Sequence, residues 1–286
     1  MRLAANWKDY ELIDASSNNR LERWGNKILI RPDPQVIWNT PKKNSLWKKA
    51  DACYHRSSQG GGNWEYFGDE INSQQICWQD LKFNVKPTGF KHMGLFPEQA
   101  ANWEFFIKKI KDTKNKVSVL NLFAYTGGAT LACAKAGASV CHVDASKGMV
   151  LWAKENAKSS GLEKSPIRWI VDDCEKFVLR EIRRGRKYDA IILDPPSYGR
   201  GPSGEIWKIE DKIYHLLINL SQLLSDMPLF FALNSYTCGL SPSTMKYLLD
   251  LTVSKLFLNV SCDEIGLKVK TTNFELPCGS TALAFN

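Results

Sequence analysis

The 286-residue chain reads as an α/β protein, a mostly parallel sheet flanked by helices and preceded by a small β-rich domain. Three observations predict this. From residue 117 onward, short apolar runs alternate with longer segments of helical period. Before residue 94 the runs are short, aromatic-rich and interrupted by Pro, Gly and Asn. A composition of 44% apolar and 11% aromatic residues is enough for one large core and a smaller one beside it.

The first part, residues 1 to 93, holds LERWGNKILIRPDPQVIW, NWEYFGD and WQDLKFNVK. Leu81, Phe83 and Val85 alternate with Lys82, Asn84 and Lys86, the period of a half-buried strand. KPTGFKHMG marks the join to the second part, residues 94 to 286. There PEQAANWEFFIKKIK opens with Pro97 and Glu98, as a helix N-terminus does, and sets Trp103, Phe106, Ile107 and Ile110 on one face. VSVLNLF, SVCHV, IRWIV, YDAIIL and PLFFALN follow as strands, separated by helical segments. In one of these, Ser146 caps the start and Gly161 marks the stop. Parallel pairing requires such crossovers. The last two runs, LNVSCDEIGLKV and STALAF, lie close enough in sequence to pair antiparallel.

Composition narrows the function classes. The eight cysteines include no C-x-x-C pair and the four histidines are scattered, so neither a zinc spacing nor a disulfide framework emerges, and no metal is expected. The opening MRLAANWKDYELIDA has acidic and aromatic residues where a signal peptide carries its apolar segment, and no apolar run is long enough to span a bilayer. The expected location is the cytoplasm, with no membrane partner. The net charge of +8 divides equally between residues 1–95 and 96–286, a balance that permits a polyanionic partner without requiring one. Two clusters are sharper: Lys42, Lys43, Lys48 and Lys49 around Trp47, and Arg180, Arg183, Arg184, Arg186 and Lys187. Either is a solvated segment or part of an RNA footprint.

The stretch VSVLNLFAYTGGAT breaks from strand into Tyr125, Thr126, Gly127 and Gly128. A strand ending in a glycine turn that feeds a helix lets backbone N–H groups face a ligand at the sheet's C-terminal edge. The dinucleotide fingerprint G-x-G-x-x-G is absent, because Phe123, Ala124 and Tyr125 fill the turn, and the site favours a nucleoside without phosphates. The next strand ends in Asp144, 17 residues past Gly127, where an acid accepts ribose hydroxyls. The third ends in Asp172 and Asp173 before Cys174, and the fourth in Asp194, Pro195 and Pro196. An Asp after one strand is ordinarily a turn former or cap. Four consecutive tips along one edge point to a ligand.

LNLFAYTGGAT, HVDASKGMV, VDDCEKFV and ILDPPSYGRG, in this order and spacing, resemble the class I S-adenosylmethionine methyltransferases, and within them the branch related to bacterial 23S rRNA enzymes for cytosine C5 and guanine N7. GLFPEQAANW and GRGPSGEIW resemble an uncharacterised sub-branch. The resemblance implies a Rossmann-like sheet of seven strands with the last antiparallel, S-adenosylmethionine as cofactor and S-adenosylhomocysteine as product. By position it implies that Asn121 to Gly128 hold the methionine moiety, with Phe123, Ala124, Tyr125, Thr126 and Gly127 in the turn. It puts Asp144, with Ala145 and Ser146, at the ribose, and Asp172, Asp173 and Cys174 at the adenine. Asp194 falls beside the methyl donor. Phe96, Glu98 and Gln99 correspond to a further cofactor segment, where the rRNA enzymes carry Asp-Gln-Arg and a later Arg and this chain has Glu98, Gln99, Ala100 and Trp103.

Methyl transfer from a sulfonium is an in-line displacement, so the protein aligns the nucleophile and stabilises developing charge. A rigid Asp194-Pro195-Pro196 turn suits a planar, nitrogen-bearing substrate, and Tyr198 is available to stack, one position later than in D-P-P-Y enzymes. Ser197 and Arg200 are substrate candidates, with Lys42, Lys43 and Trp47 for RNA, and GRGPSGEIW is a candidate lid. Cytosine C5 methylation requires a thiolate instead, for which Cys238 in LNSYTCGLS is the candidate, one residue off the position in the C5 enzymes. The expected activity is methylation of an RNA base, ribosomal, at nitrogen. The alternatives are C5 methylation through Cys238, a small-molecule or protein substrate, and a non-catalytic cofactor-binding or RNA-binding module.

Overall fold

The computed structural model of the chain describes residues 1–57, 61–200, 204, 206–237 and 239–286, the side chain of Arg200 excepted. The chain divides into two compact units, a larger one of residues 1–2, 102–265 and 279–286 and a smaller one of residues 3–101 and 266–278. Residues 94–101 and 266–278, placed in the second part from sequence, thus group with the smaller unit. Hydrogen bonds show why: Lys270 and Thr271 N–H donate to the carbonyls of Leu12 and Ile13, and the Trp7 indole donates to the Pro97 carbonyl.

After the two-residue β1 (Arg2–Leu3), the smaller unit builds β2 (Tyr10–Ser16), β3 (Asn19–Trp24), β4 (Lys27–Pro32), β5 (Ala52–Arg56) and β6 (Gly62–Tyr66) into a five-stranded sheet in chain order. Ser17 and Asn18, both at positive φ, make the two-residue turn that pairs Ser16 with Asn19. A hairpin of β7 (Gln74–Trp78) and β8 (Leu81–Val85) follows, and Leu81, Phe83 and Val85 are the buried side, as their alternation predicts. Ile13, Leu21 and Trp47 form a buried cluster.

The chain continues with α1 (Ala100–Asp112), β9 (Ser118–Leu122), α2 (Gly128–Lys135), β10 (Ser139–Asp144), α3 (Lys147–Ser159), β11 (Ile167–Val171), α4 (Cys174–Arg183), β12 (Ala190–Leu193), β13 (Tyr198–Arg200), β14 (Ile206–Lys208), α5 (Ile209–Ser221), β15 (Phe230–Ser235), α6 (Pro242–Thr252), β16 (Asn259–Lys268) and β17 (Glu275–Phe285). The main sheet runs β11-β10-β9-β12-β15-β17-β16-β1, the seven strands expected with β1 added at the edge. Strands β9 to β12 and β15 pair in parallel, and β17 pairs with β15 antiparallel. This is a Rossmann-like sheet.

Alternation along these strands splits the core. Leu120, Leu122, Val143, Ile191, Leu193, Phe231 and Leu233 pack with the apolar residues of α4, α5 and α6. The opposite register carries Asn121 and His142, joined through Thr130 of α2. Ser146 caps α3, and Gly161, at φ 69°, ends it as predicted. Among the described residues, no helix is long and apolar enough to cross a membrane.

Candidate active site

Parallel pairing brings the strand tips level. Val171 pairs with Asp144, Val143 with Leu122, Leu122 with Leu193, and Leu193 with Leu233. The next residue of each of the last three strands (Phe123, Asp194 and Asn234) therefore stands in one row near Asp144.

Between β9 and α2 the backbone is unusual. Phe123, Tyr125 and Gly127 have φ values of 53°, 50° and 90°. Left-handed conformations at two bulky residues cost on the order of 1–3 kcal/mol each and persist only where surrounding groups hold them. Those groups include two predicted site residues, Asp144 and Cys174, and Asn156, which was not predicted. The Asp144 carboxylate accepts the Tyr125 N–H at 2.8 Å on one oxygen and the Ser146 N–H at 2.8 Å on the other. The Cys174 sulfur accepts the Phe123 N–H at 3.4 Å, and the Asn156 amide donates to the Thr126 carbonyl. Ala124 is buried beneath the turn. Burial raises the Asp144 pKa, opposed by its two backbone hydrogen bonds.

Each glycine of the pair has its own reason. Gly127 is the left-handed N-cap of α2. Gly128 admits the Trp103 indole, since a Cβ there would lie 2.4 Å from its ring.

At the third tip, Asp173 caps α4 by accepting the Lys176 N–H at 2.9 Å, and Asp172 pairs with Arg180. Cys174 is buried, which pushes its thiol far above the usual range. Ala145 is half-buried between Asp144 and the exposed Ser146. The side chain of Asn121 is turned inward to Thr130 rather than toward a ligand. His142 completes that triad, and burial lowers its pKa to about 3.

At the fourth tip, the Asn234 amide donates to Asp194 Oδ1 at 2.8 Å. Asn234 Oδ1 accepts from the Thr281 hydroxyl at 2.6 Å, Thr281 accepts from Asn102 at 2.9 Å, and Asn102 accepts from Arg2 at 2.5 Å. Sequence reasoning missed this chain. Its trace in the sequence is an Asn inside the apolar run PLFFALN. Beyond Asp194, buried Pro195 and exposed Pro196 lead to the β13–β14 hairpin. The Trp207 indole donates to the Pro196 carbonyl at 2.6 Å and lies 5.0 Å from the Phe123 ring. Ser197 bonds the Thr237 hydroxyl, and Tyr198 is 52% exposed.

The remaining predicted residues belong to other elements. Phe96, Glu98 and Gln99 belong to the smaller unit, where Pro97–Gln99 form one 3-10 turn and Glu98 is buried. Trp47 is a correction: it is 9% exposed, packs with Ile13 and Leu21, and donates its indole N–H to Asp14, so no face remains for a base. Lys42 lies 4.4 Å over that ring, and Lys42 and Lys43 are exposed. In the other cluster Arg180 and Arg184 are paired with Asp172 and Glu181, while Arg183, Arg186 and Lys187 are exposed. Cys238, the Arg200 side chain and most of the candidate lid lie outside the described residues. No cluster of His, Cys, Asp or Glu that could hold a metal occurs among the described residues.

A sequence model of S-adenosylmethionine-dependent methyltransferases matches residues 51–239. The chain belongs to that family. Its cofactor is S-adenosylmethionine. A SAM-dependent methyltransferase structure from Agrobacterium tumefaciens is 34% identical, with a TM-score of 0.94 over 99% of this chain and 92% of its own. A methyltransferase solved with S-adenosylhomocysteine is 16% identical, with a TM-score of 0.75 over 98% of this chain and 76% of its own, a likeness of fold. Among curated relatives, ribosomal RNA large subunit methyltransferase K/L of Shewanella frigidimarina is 32% identical over 59% of this chain and 24% of its own length. The Pseudoalteromonas atlantica protein of the same name is 30% identical over 67% and 26%. This chain thus spans about a quarter of the length of these methyltransferases.

The family's cofactor fits the residues at the strand tips. A carboxylate offers about four acceptor positions, so Asp144 retains capacity for ribose hydroxyls after binding two backbone N–H groups.

Proposed function

We propose that the protein methylates a nitrogen of an RNA base, ribosomal in origin, in the cytoplasm. The observation that carries this reading is the Asp194 carboxylate, held at the tip of β12 by Asn234 and followed by two prolines. The relatives' names, which are those of large-subunit rRNA enzymes, support the substrate class.

When bound, S-adenosylmethionine supplies an electrophilic methyl group on a sulfonium. Asp144 accepts the ribose hydroxyls, and the backbone from Asn121 to Gly128 contacts the methionine moiety. Asp172, Asp173, Ala145 and Ser146 border the nucleoside, while Cys174 shapes the site from beneath by fixing Phe123. Asp194 accepts an N–H of the incoming base and orients its nitrogen lone pair, and Asn234 holds the carboxylate in one rotamer. The Pro196 carbonyl accepts the Trp207 indole N–H, which ties the turn to β14. Tyr198 and Ser197 face the substrate in this reading, and Lys42 and Lys43 supply positive charge for RNA phosphates. The assignment of Phe96, Glu98 and Gln99 to the cofactor rests on the resemblance alone.

Tritium carried from labelled S-adenosylmethionine into RNA tests the proposal, with Asp194→Ala as control. Label confined to small molecules or to protein contradicts it.

A further inference from the structure

The smaller unit contains a cleft of about 270 Å³, bordered by Tyr54, Arg56, Ser57, Phe90, Lys91 and His92. KPTGFKHMG, read from sequence as a join, supplies one wall. This segment is tightly held. Lys86 N–H donates to the Met93 carbonyl and Thr88 N–H to the His92 carbonyl, closing the loop on itself. The Thr88 hydroxyl donates to the His92 carbonyl at 2.8 Å. The Trp64 indole donates to the Thr88 carbonyl at 2.9 Å, and the Tyr54 hydroxyl to that of Gly89 at 3.3 Å. From below, Arg31 holds Glu22 through Nε at 2.5 Å and Nη2 at 2.7 Å, and spends its remaining nitrogen, Nη1, on the Lys91 carbonyl at 3.0 Å.

A loop fixed at so many points still leaves Phe90 64% exposed. Burying that ring in the loop's own core would recover on the order of 2 kcal/mol. Rigid presentation of an uncovered aromatic ring is the form of a stacking platform.

The charge around it is unbalanced. Arg20 is paired with Asp33 and Arg31 with Glu22. Arg56 and Lys91 have no carboxylate partner among the described residues; Lys91 Nζ reaches only the Pro32 carbonyl, at 3.3 Å. Burial, then the neighbouring arginines, lowers the Lys91 pKa to about 8, and the same causes lower His92 to about 3. These cations repel one another at close range, and an anion placed among them relieves it.

We propose that this cleft is a subsite for single-stranded RNA, in which Phe90 stacks on one base while Arg56 and Lys91 take the adjacent phosphate. The inference rests on the RNA reading above and assigns it a second set of residues. The size favours one nucleotide, being near the lower limit of roughly 300 Å³ for ligand sites. A single exposed ring beside two cations favours an unpaired strand, because paired bases offer no face to it.

The test is fluorescence anisotropy with a short, labelled single-stranded RNA of mixed sequence across a salt series, alongside calorimetric titration of S-adenosylhomocysteine. Phe90→Ala is expected to weaken RNA binding about 10-fold or more. Arg56→Ala and Lys91→Ala are each expected to lower the slope of log affinity against log salt by about 0.7. Unchanged S-adenosylhomocysteine affinity together with an unchanged thermal unfolding profile in all three shows that they fold. If the native protein binds RNA and the variants bind it equally with the same slope, the subsite is refuted and the RNA reading stands. If the native protein takes S-adenosylhomocysteine but no RNA, the RNA reading itself fails, and the subsite with it.

Discussion

The side-chain amide of Asn234 donates to Asp194 Oδ1 at 2.8 Å, from the neighbouring parallel strand and at the same level of the sheet. That bond ties the carboxylate to the neighbouring strand. Asn234 is itself fixed, because its Oδ1 accepts from Thr281 on the antiparallel strand β17. The orientation of the proposed acceptor is thus set by three strands rather than by its own loop.

Asn234→Leu is therefore expected to lower kcat for methyl transfer about 10- to 100-fold, the worth of one hydrogen bond to a charged group. Affinity for S-adenosylhomocysteine should stay within about twofold, since Asn234 is assigned no cofactor contact. Steady-state kinetics with parallel calorimetry separates the two. Equal loss in both would mean that Asn234 supports the fold of the strand tips and not Asp194 in particular.

Asp144 has two tasks, and its substitution should show both. Asp144→Ala is expected to weaken S-adenosylhomocysteine binding by about 1.5–3 kcal/mol and to lower thermal stability as the Tyr125 and Ser146 N–H groups lose their acceptor. The acceptor role also predicts a pH dependence. Because burial raises this carboxyl's pKa, protonation on acidification should weaken cofactor binding at a higher pH than an ordinary aspartate would. Titrations across the acidic range, compared with Asp144→Asn, isolate that contribution.

The glycine pair gives a sharper contrast. Gly128→Ala drives a Cβ against the Trp103 ring and should cost about 1–3 kcal/mol by overpacking. Gly127→Ala strains a left-handed cap and should cost about 1 kcal/mol. Denaturant unfolding orders the two. Trp103→Leu in the Gly128→Ala background should recover part of the first loss and none of the second.

In the smaller unit, Glu22 is fully buried and receives Arg31, Tyr10 and Trp24. Burial alone would raise its pKa, but the Arg31 pair outweighs it and lowers the value to about 2 from 4.5. A carboxyl depressed on folding contributes stability that is complete above pH 4.5 and is lost as pH falls toward 2. Glu22→Gln should destabilise by about 3–5 kcal/mol at neutral pH, leaving Arg31 unpaired, and should flatten the acid limb of the stability curve.

Much of this was legible in the sequence because it is periodic or local. The alternation of apolar runs and helical segments gave the order of β9 to β15, and Ser146 and Gly161 marked the ends of α3 by chemistry confined to one turn. Asp144 and Asp194 could be read as strand tips for the same reason. What could not be read was pairing across the chain. Asn234 is 40 residues from Asp194, and only the register of β12 with β15 makes them neighbours. Trp47 was misread for a related cause: lysines on either side suggest an exposed segment, whereas the indole turns inward to Asp14, 33 residues away. The holding of Phe123 by Cys174, 51 residues apart, is likewise a product of the sheet.

In the proposed reaction Asp194 orients a base nitrogen of RNA. The most direct measurement is nucleoside analysis by mass spectrometry of RNA incubated with the protein and isotopically labelled S-adenosylmethionine. Label is expected in an N-methylated nucleoside, abolished by Asp194→Ala and retained by Cys238→Ser. Label in 5-methylcytidine that is lost with Cys238→Ser, or no labelled nucleoside at all, would contradict it.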